Sequence, residues 1–367
     1  MKSQMKILYV GPDYVGSNGT SWRDAFVQLG FEVRTFDDES FVRPGATLRA
    51  KAWRKLYGRP AADCIAALNG ALASAIDGFK PDLTFYVKAR YVLPETIRRG
   101  AVSGPSLAYM NDDMFSPANQ TFTFFDNIRQ FDCILTTKSY NVREFHAAGA
   151  ARAVYIPNAY DPAIHFPAKP QAGELAPLHG DVGFLGTFRP ERADFLARAA
   201  GGEFHLNVWG NGWEKMNRAD NWHRRWRWRR LARAIRGGEL RGVEMAKAIQ
   251  ANKIALGLLY HKNRDLHTSR SFEIPACGGF LLAERTEEHR MYFQEDAEAV
   301  YFESIEEMRN KIRFYLAHEN LRERIAEAGY RRCLNSRATY ADRARFAIEL
   351  IRGGRAPARE ELCRSSS

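Results

Sequence analysis

The chain has 367 residues, 45% of them hydrophobic and 26% charged, which excludes a wholly disordered protein and suits about two domains. Its 54 Lys and Arg against 43 Asp and Glu leave a formal charge of +11. Anionic partners are therefore expected: phosphates of a small ligand, of nucleic acid or of a membrane lipid.

The N-terminal apolar stretch, Ile7 to Val10, is too short for the core of a signal peptide, and nothing approaches the ~18 apolar residues that span a bilayer. Cys64, Cys133, Cys277, Cys333 and Cys363 are scattered and form no CxxC pair, so reduced thiols in a cytoplasmic protein are expected, with neither a disulfide framework nor a zinc site. In chain order, Lys6–Val10, Phe31–Phe36, Leu83–Val87, Leu107–Met110, Cys133–Thr136 and Ala153–Ile156 read as short buried strands separated by helical stretches. That alternation predicts an open parallel sheet. Pro157, Pro162, Pro167, Pro170 and Pro177 then mark a linker. A second array follows, with strands expected at Asp181–Leu185, His205–Trp209, Ile254–Leu259, Phe280–Ala283 and Val300–Phe302. Helices are expected over Ser304–His318, Leu321–Cys333 and Tyr340–Ile351. The α/β reading is thus two Rossmann-like domains, 1–165 and 181–338, joined by a linker at 166–180. A final helix at 339–353 precedes a loose tail at 354–367.

The strongest chemical signal is DLHTSRSFEIPACGGFLLAE, residues 265–284. A strand, a polar loop and a helix start near Ser269 present backbone N–H groups to phosphate. His267, Thr268, Ser269 and Arg270 are the donors at hand, and Arg270 suits bidentate phosphate pairing. Glu273, one turn in, suits the vicinal hydroxyls of a sugar; taken alone it also suits a solvated helix face. Gly278 and Gly279 end the helix. A second signal is Gly186–Arg192, where Arg189 and Arg192 stand at the carboxyl end of a strand, either facing an anion or solvating a helix start. Trp209 and Gly210, at the end of the neighbouring strand, are grouped with this donor site.

The first βα loop holds Gly16, Ser17, Asn18 and Gly19, spaced for a flexible turn but not as GxGxxG, which disfavours NAD. Asp112 and Asp113 follow the strand ending at Met110, placed either to activate an acceptor hydroxyl or to cap their loop. No DxD, HExxH or Walker A pattern occurs, so no metal or other cofactor is expected. His165, His179 and His318 are expected at the surface.

RSFEIPACGGFLLAERTEEHRMYFQEDAEAVYF resembles the nucleotide-binding signature of retaining GT-B glycosyltransferases of the family 4 type, with the CgeB-like branch nearest. VGFLGTFRPER and YIPNAYDPAIHFP resemble that family's first donor-domain loop and its interdomain connection. The resemblance implies two Rossmann-like domains facing a central cleft, with the last helix crossing back to the N-domain. It also implies a nucleoside-diphosphate-sugar donor and a retaining hexosyl transfer needing no metal. Glu273 would meet the ribose, and the 265–270 loop the sugar and diphosphate, with Asp265 at the family's first acidic position. The 16–19 loop would face the cleft. The acceptor, a glycan, a lipid-linked sugar or a protein, stays open. A non-catalytic nucleotide- or glycan-binding protein of the same fold is the alternative.

WHRRWRWRRLARAIR, residues 222–236, carries much of the excess charge, with no acidic residue between Asp220 and Glu239. Trp228, Leu231 and Ile235 share one helical face. The segment suits a domain helix with arginines in water, peripheral contact with an anionic membrane such as the inner face, or, least well for want of any nucleic-acid motif, nucleic acid.

Overall fold

A computed structural model describes residues 4–42, 53, 56–199, 202–217 and 219–354. The chain divides into two compact units, Met1–Pro157 with the C-terminal helix, and Asn158–Thr339.

The first unit runs β1 (Lys6–Val10), α1 (Asn18–Gln28), β2 (Glu32–Phe36), α2 (Glu39–Val42), α3 (Ala62–Phe79), β3 (Leu83–Val87), α4 (Pro94–Ala101), β4 (Ser106–Met110), α5 (Phe124–Ile128), β5 (Cys133–Thr136), α6 (Asn141–Ala147) and β6 (Ala153–Tyr155). Its six strands pair in parallel in the order β2-β1-β3-β4-β5-β6. Strands β3, β4 and β5 are buried on both faces, which is why they read as unbroken apolar runs.

The second unit runs α7 (Ala172–Leu178), β7 (Gly180–Leu185), α8 (Pro190–Ala199), β8 (Leu206–Trp209), α9 (Arg225–Ala232), β9 (Ile235–Gly237), α10 (Gly242–Ala251), β10 (Asn252–Gly257), α11 (Arg270–Ala276), β11 (Leu281–Glu284), α12 (Glu287–Tyr292), β12 (Val300–Phe302), α13 (Ile305–Ala317) and α14 (Glu319–Asn335). Its order, β12-β11-β10-β7-β8-β9, is the 3-2-1-4-5-6 arrangement of dinucleotide-binding domains. Its core packs Val182, Leu256, Leu282 and Val300 of the sheet against Leu196, Met308 and Ile312 of the helices.

The last helix, α15 (Tyr340–Ile351), returns to the first unit and packs on α1. There Tyr340 meets Trp22 edge-on at 6.1 Å, and Arg152 donates to the carbonyls of Leu350 and Gly354 at 2.9 and 2.7 Å. The two parallel sheets and the returning helix make this a GT-B fold. The expected tail beyond Gly354 lies outside the described residues.

Three details differ from the sequence reading. The proline-rich segment after Pro157 is grouped with the second unit, because Tyr160 donates its hydroxyl to the Cys333 carbonyl and Asn158 binds His267. Ile235 leaves the helical face of Trp228 and Leu231 to begin β9, a three-residue edge strand too short to show a pattern. Helix α11 spans only seven residues and contains Pro275, so its dipole adds less to anion binding than the motif suggests. Among the described residues no helix is long and apolar enough to cross a membrane.

Candidate functional site

In the second unit β7 and β10 are neighbours in the sheet but far apart in sequence. Ligands of open α/β sheets bind at the carboxyl ends of the strands, at such a switch point. The residues after β7 and β10 converge there.

Gly210, at the end of β8, approaches the end of β7 so closely that a Cβ on it would lie 2.0 Å from the Gly186 carbonyl oxygen. That oxygen accepts from the Trp213 indole at 3.0 Å, and the Gly186 amide donates to the Trp209 carbonyl at 2.9 Å. Gly186, Trp209 and Gly210 therefore shape the strand ends. Trp209 is itself buried.

Arg192 donates to the carbonyls of Leu258, Leu259 and Thr187 at 3.1, 3.3 and 3.3 Å, tying α8 to the end of β10. Three of its five N–H groups are thus used within the unit. Burial lowers its pKa, with Asp265, Arg189, Glu284 and Arg270 the charges around it. Arg189 is exposed, its guanidinium 4.5 Å from the centre of the Tyr260 ring. Of the two arginines at this strand end, Arg189 has the more accessible guanidinium and Arg192 the more internal hydrogen bonds.

The loop after β10 is held by its own carboxylate. Asp265 accepts from the Tyr260 amide at 3.1 Å and from the Asn263 side chain at 2.8 Å, and is buried. His267 is fully enclosed. Its Nε2 accepts from the Asn158 amide at 3.0 Å, which leaves Nδ1 to donate to Glu288 at 2.5 Å. Thr268 donates its amide to Ser271 Oγ at 3.1 Å, Ser269 precedes α11, and Ser271 Oγ lies 2.7 Å from His289 Nε2. His267 is enclosed and braces the loop, while Thr268, Ser269 and Arg270 are partly exposed.

Burial lowers the pKa of His289 from 6.5 to about 4. A base held neutral in the fold and protonated once unfolded stabilises fully above pH 6.5 and progressively less as pH falls towards 4. That swing amounts to about 3 kcal/mol. The His289→Gln variant should show a smaller loss than the wild type when urea unfolding is compared at about pH 7 and about pH 5; parallel losses would rule His289 out as the source.

Arg270 and Glu273 form the polar heart of the site. Arg270 donates through Nε to the Leu185 carbonyl at 3.1 Å and through Nη1 to Glu273, whose carboxylate is buried. His165, expected at the surface, is instead buried, its Nε2 3.8 Å from Glu273. The Asp161 amide donates to His165 Nδ1 at 2.9 Å, so the neutral ring carries its proton on Nε2, toward the carboxylate. Burial acts to raise the Glu273 pKa, but the charge of Arg270 and hydrogen bonds from Arg270 and Ser269 hold it below the usual range. Burial lowers the His165 pKa. His165 escaped the sequence reading because a lone histidine among prolines carries no spacing signal. Glu284 was also missed; it accepts from the Leu259 amide at 2.7 Å and sits 2.8 Å from His261 Nε2.

The first unit has its own strand-end cluster. Lys88 and Ala89 follow β3 with φ of 64° and 45°, a left-handed conformation costly for residues with side chains. Lys88 Nζ is 2.5 Å from Asp112 Oδ2. Burial acts to raise the Asp112 pKa, but Lys88, Lys138 and Arg90 hold it below the ordinary value. Asp113 is buried and accepts from the Phe115 amide at 3.2 Å and the Asn141 side chain at 3.0 Å, the loop-capping arrangement. Ser17 caps α1 by accepting from the Thr20 amide at 3.0 Å, with Asn18 the first helical residue. Gly16 takes φ 84°, and a Cβ at Gly19 would strike the Tyr9 hydroxyl at 2.3 Å. The loop is thus a built turn into a helix.

The two parallel sheets define a GT-B protein, with arginines and a buried carboxylate gathered at one strand edge of its second unit. Residues 189–349, most of them in the second unit, match the family model described as glycosyl transferase-like. No curated protein matches the chain. Among solved structures, Anabaena HepE in complex with UDP and glucose is 14% identical, over 95% of this chain and 100% of that one, at a TM-score of 0.60. Sucrose-phosphate synthase from Thermosynechococcus elongatus is 13% identical, over 95% and 99%, at 0.65. An alpha-glucosyltransferase in complex with UDP-glucose and DNA containing an abasic site is 13% identical, over 95% and 100%, at 0.63.

Proposed function

We propose that this protein is a glycosyltransferase taking its sugar from a nucleoside diphosphate sugar bound at the β7–β10 switch point of the second unit. One observation carries the reading: Arg189, Arg192, Arg270 and a buried Glu273 carboxylate meet at the carboxyl ends of neighbouring parallel strands. The glycosyl transferase-like match over 189–349 spans them.

Ribose hydroxyls would take the Glu273 carboxylate, and Arg270 would turn from Glu273 to the diphosphate. Arg189 and the uncommitted edge of Arg192 would add charge as the diphosphate departs. Guanidiniums gathered at the strand edge stabilise the negative charge that develops on the leaving diphosphate. That is the part a divalent cation plays elsewhere, so transfer is proposed to be metal-independent. Asp265 positions the loop, and no residue is assigned as a nucleophile. Retention, and the CgeB-like placement, rest on the sequence resemblance. HepE and the alpha-glucosyltransferase were both crystallised with UDP-glucose, which makes UDP-sugars the first donors to try.

Thermal melting with UDP-, GDP-, ADP- and TDP-sugars in EDTA tests this. A true donor at a hundred times its Kd should stabilise the protein by about 2.7 kcal/mol. Slow donor hydrolysis in the same samples separates an enzyme from a binding protein. Silence across the whole panel, with and without magnesium, would remove the reading.

A further inference from the structure

We infer that the outward face of residues 222–233 docks onto an anionic phospholipid bilayer. The inference rests on this surface alone and does not depend on the transferase reading.

Helix α9 is rotationally pinned. Trp228 and Leu231 are buried, the Trp228 indole donates to Asp194 at 2.9 Å, and Arg224 pairs with the same carboxylate at 3.3 Å. With that side turned inward, helical periodicity turns Trp226, Arg225, Arg229, Arg230 and Arg233 outward, all of them exposed. Trp222 lies in the short 3-10 segment Ala219–Arg224 that leads into α9, and it and Trp226 are 71% and 70% exposed. Arg227 lies over the Trp226 ring at 5.6 Å.

Large aromatic side chains left this exposed forgo burial that other tryptophans of the chain obtain. Trp22, Trp209, Trp213 and Trp228 are all buried. Indole rings gain most at a membrane interface, where the apolar body meets acyl chains and the N–H meets headgroups. Arginines around them pair with lipid phosphates, and each cation near an anionic surface raises the partition roughly fivefold. No acidic residue interrupts the sequence between Asp220 and Glu239. Single-stranded nucleic acid is instead held in a basic groove with bases stacked on aromatic platforms. Here both rings stand out from a helix surface.

The test is co-sedimentation of the full chain with vesicles of phosphatidylcholine alone or mixed with phosphatidylglycerol, with tryptophan emission recorded alongside. Binding is expected only with phosphatidylglycerol present. It should bring a blue shift and decline steeply as salt rises from about 0.1 M to about 0.5 M. Trp222→Ala/Trp226→Ala and Arg225→Glu/Arg229→Glu should each weaken it at least tenfold, by roughly the loss of two anchors. Their melting temperatures should be unchanged, because the replaced side chains are exposed. Arg324→Glu/Arg331→Glu, on exposed positions of α14, makes the same change in net charge and should bind normally. Equal binding to phosphatidylcholine alone, no binding, or variants that bind like the wild type would each overturn the inference. So would an oligonucleotide bound in preference to anionic vesicles through the same residues.

Discussion

Replacing Glu273 by Gln should weaken binding of the nucleotide sugar by about tenfold to a hundredfold while leaving the chain folded. The substitution keeps the side chain's shape and removes only its charge. Hydrogen bonds to a charged group contribute about 1.5–3 kcal/mol, which is the source of that range. The charge is present at neutral pH because Arg270, through its charge and its hydrogen bond, outweighs burial at this carboxyl group. Some stability will also be lost, since Arg270 forfeits its charged partner. It is 23% exposed, however, and has the Leu185 carbonyl to hold it. Titration calorimetry, using whichever donor stabilises the wild type most, measures the effect. An affinity equal to that of the wild type would take Glu273 out of the donor site.

Gly210→Ala should be the most damaging small substitution in the second unit, costing about 3–5 kcal/mol from overpacking and backbone strain together. Its Cβ would lie 2.0 Å from a backbone oxygen that cannot swing aside, in a residue with φ of 151°. Gly212→Ala is the control. It also carries a positive φ, 84°, but its Cβ would meet only the flexible end of Lys215 at 3.4 Å. Strain alone should then cost about 1 kcal/mol. Urea unfolding of both variants compares them directly. Equal costs would show that the approach of the two strand ends is not tight in solution.

The strands of both sheets were legible because a strand covered on both faces must be apolar along its whole length, as in Leu83–Val87 and Leu107–Met110. The last helix was legible end to end, Tyr340–Ile351, because its apolar residues recur at helical spacing. The edge strand Ile235–Gly237 was not, since three residues carry no period and none of them is buried. In the site, the motif from Asp265 to Glu273 placed the loop, and local order along the chain sufficed for that.

Which side of the loop each residue occupies was not local information. His267 turns inward because Asn158 and Glu288, 109 and 21 residues away, hold both its nitrogens. His165 meets Glu273 only once the proline-rich segment packs against α11, a pairing that no spacing in the sequence encodes. The chemistry of this protein, an arginine-rich strand edge with one helical carboxylate, was therefore set by residue types and their order. The choice of which groups face a ligand and which brace the loop was made by packing between distant segments. Burial and hydrogen-bond satisfaction are properties of the assembled fold rather than of any stretch of chain.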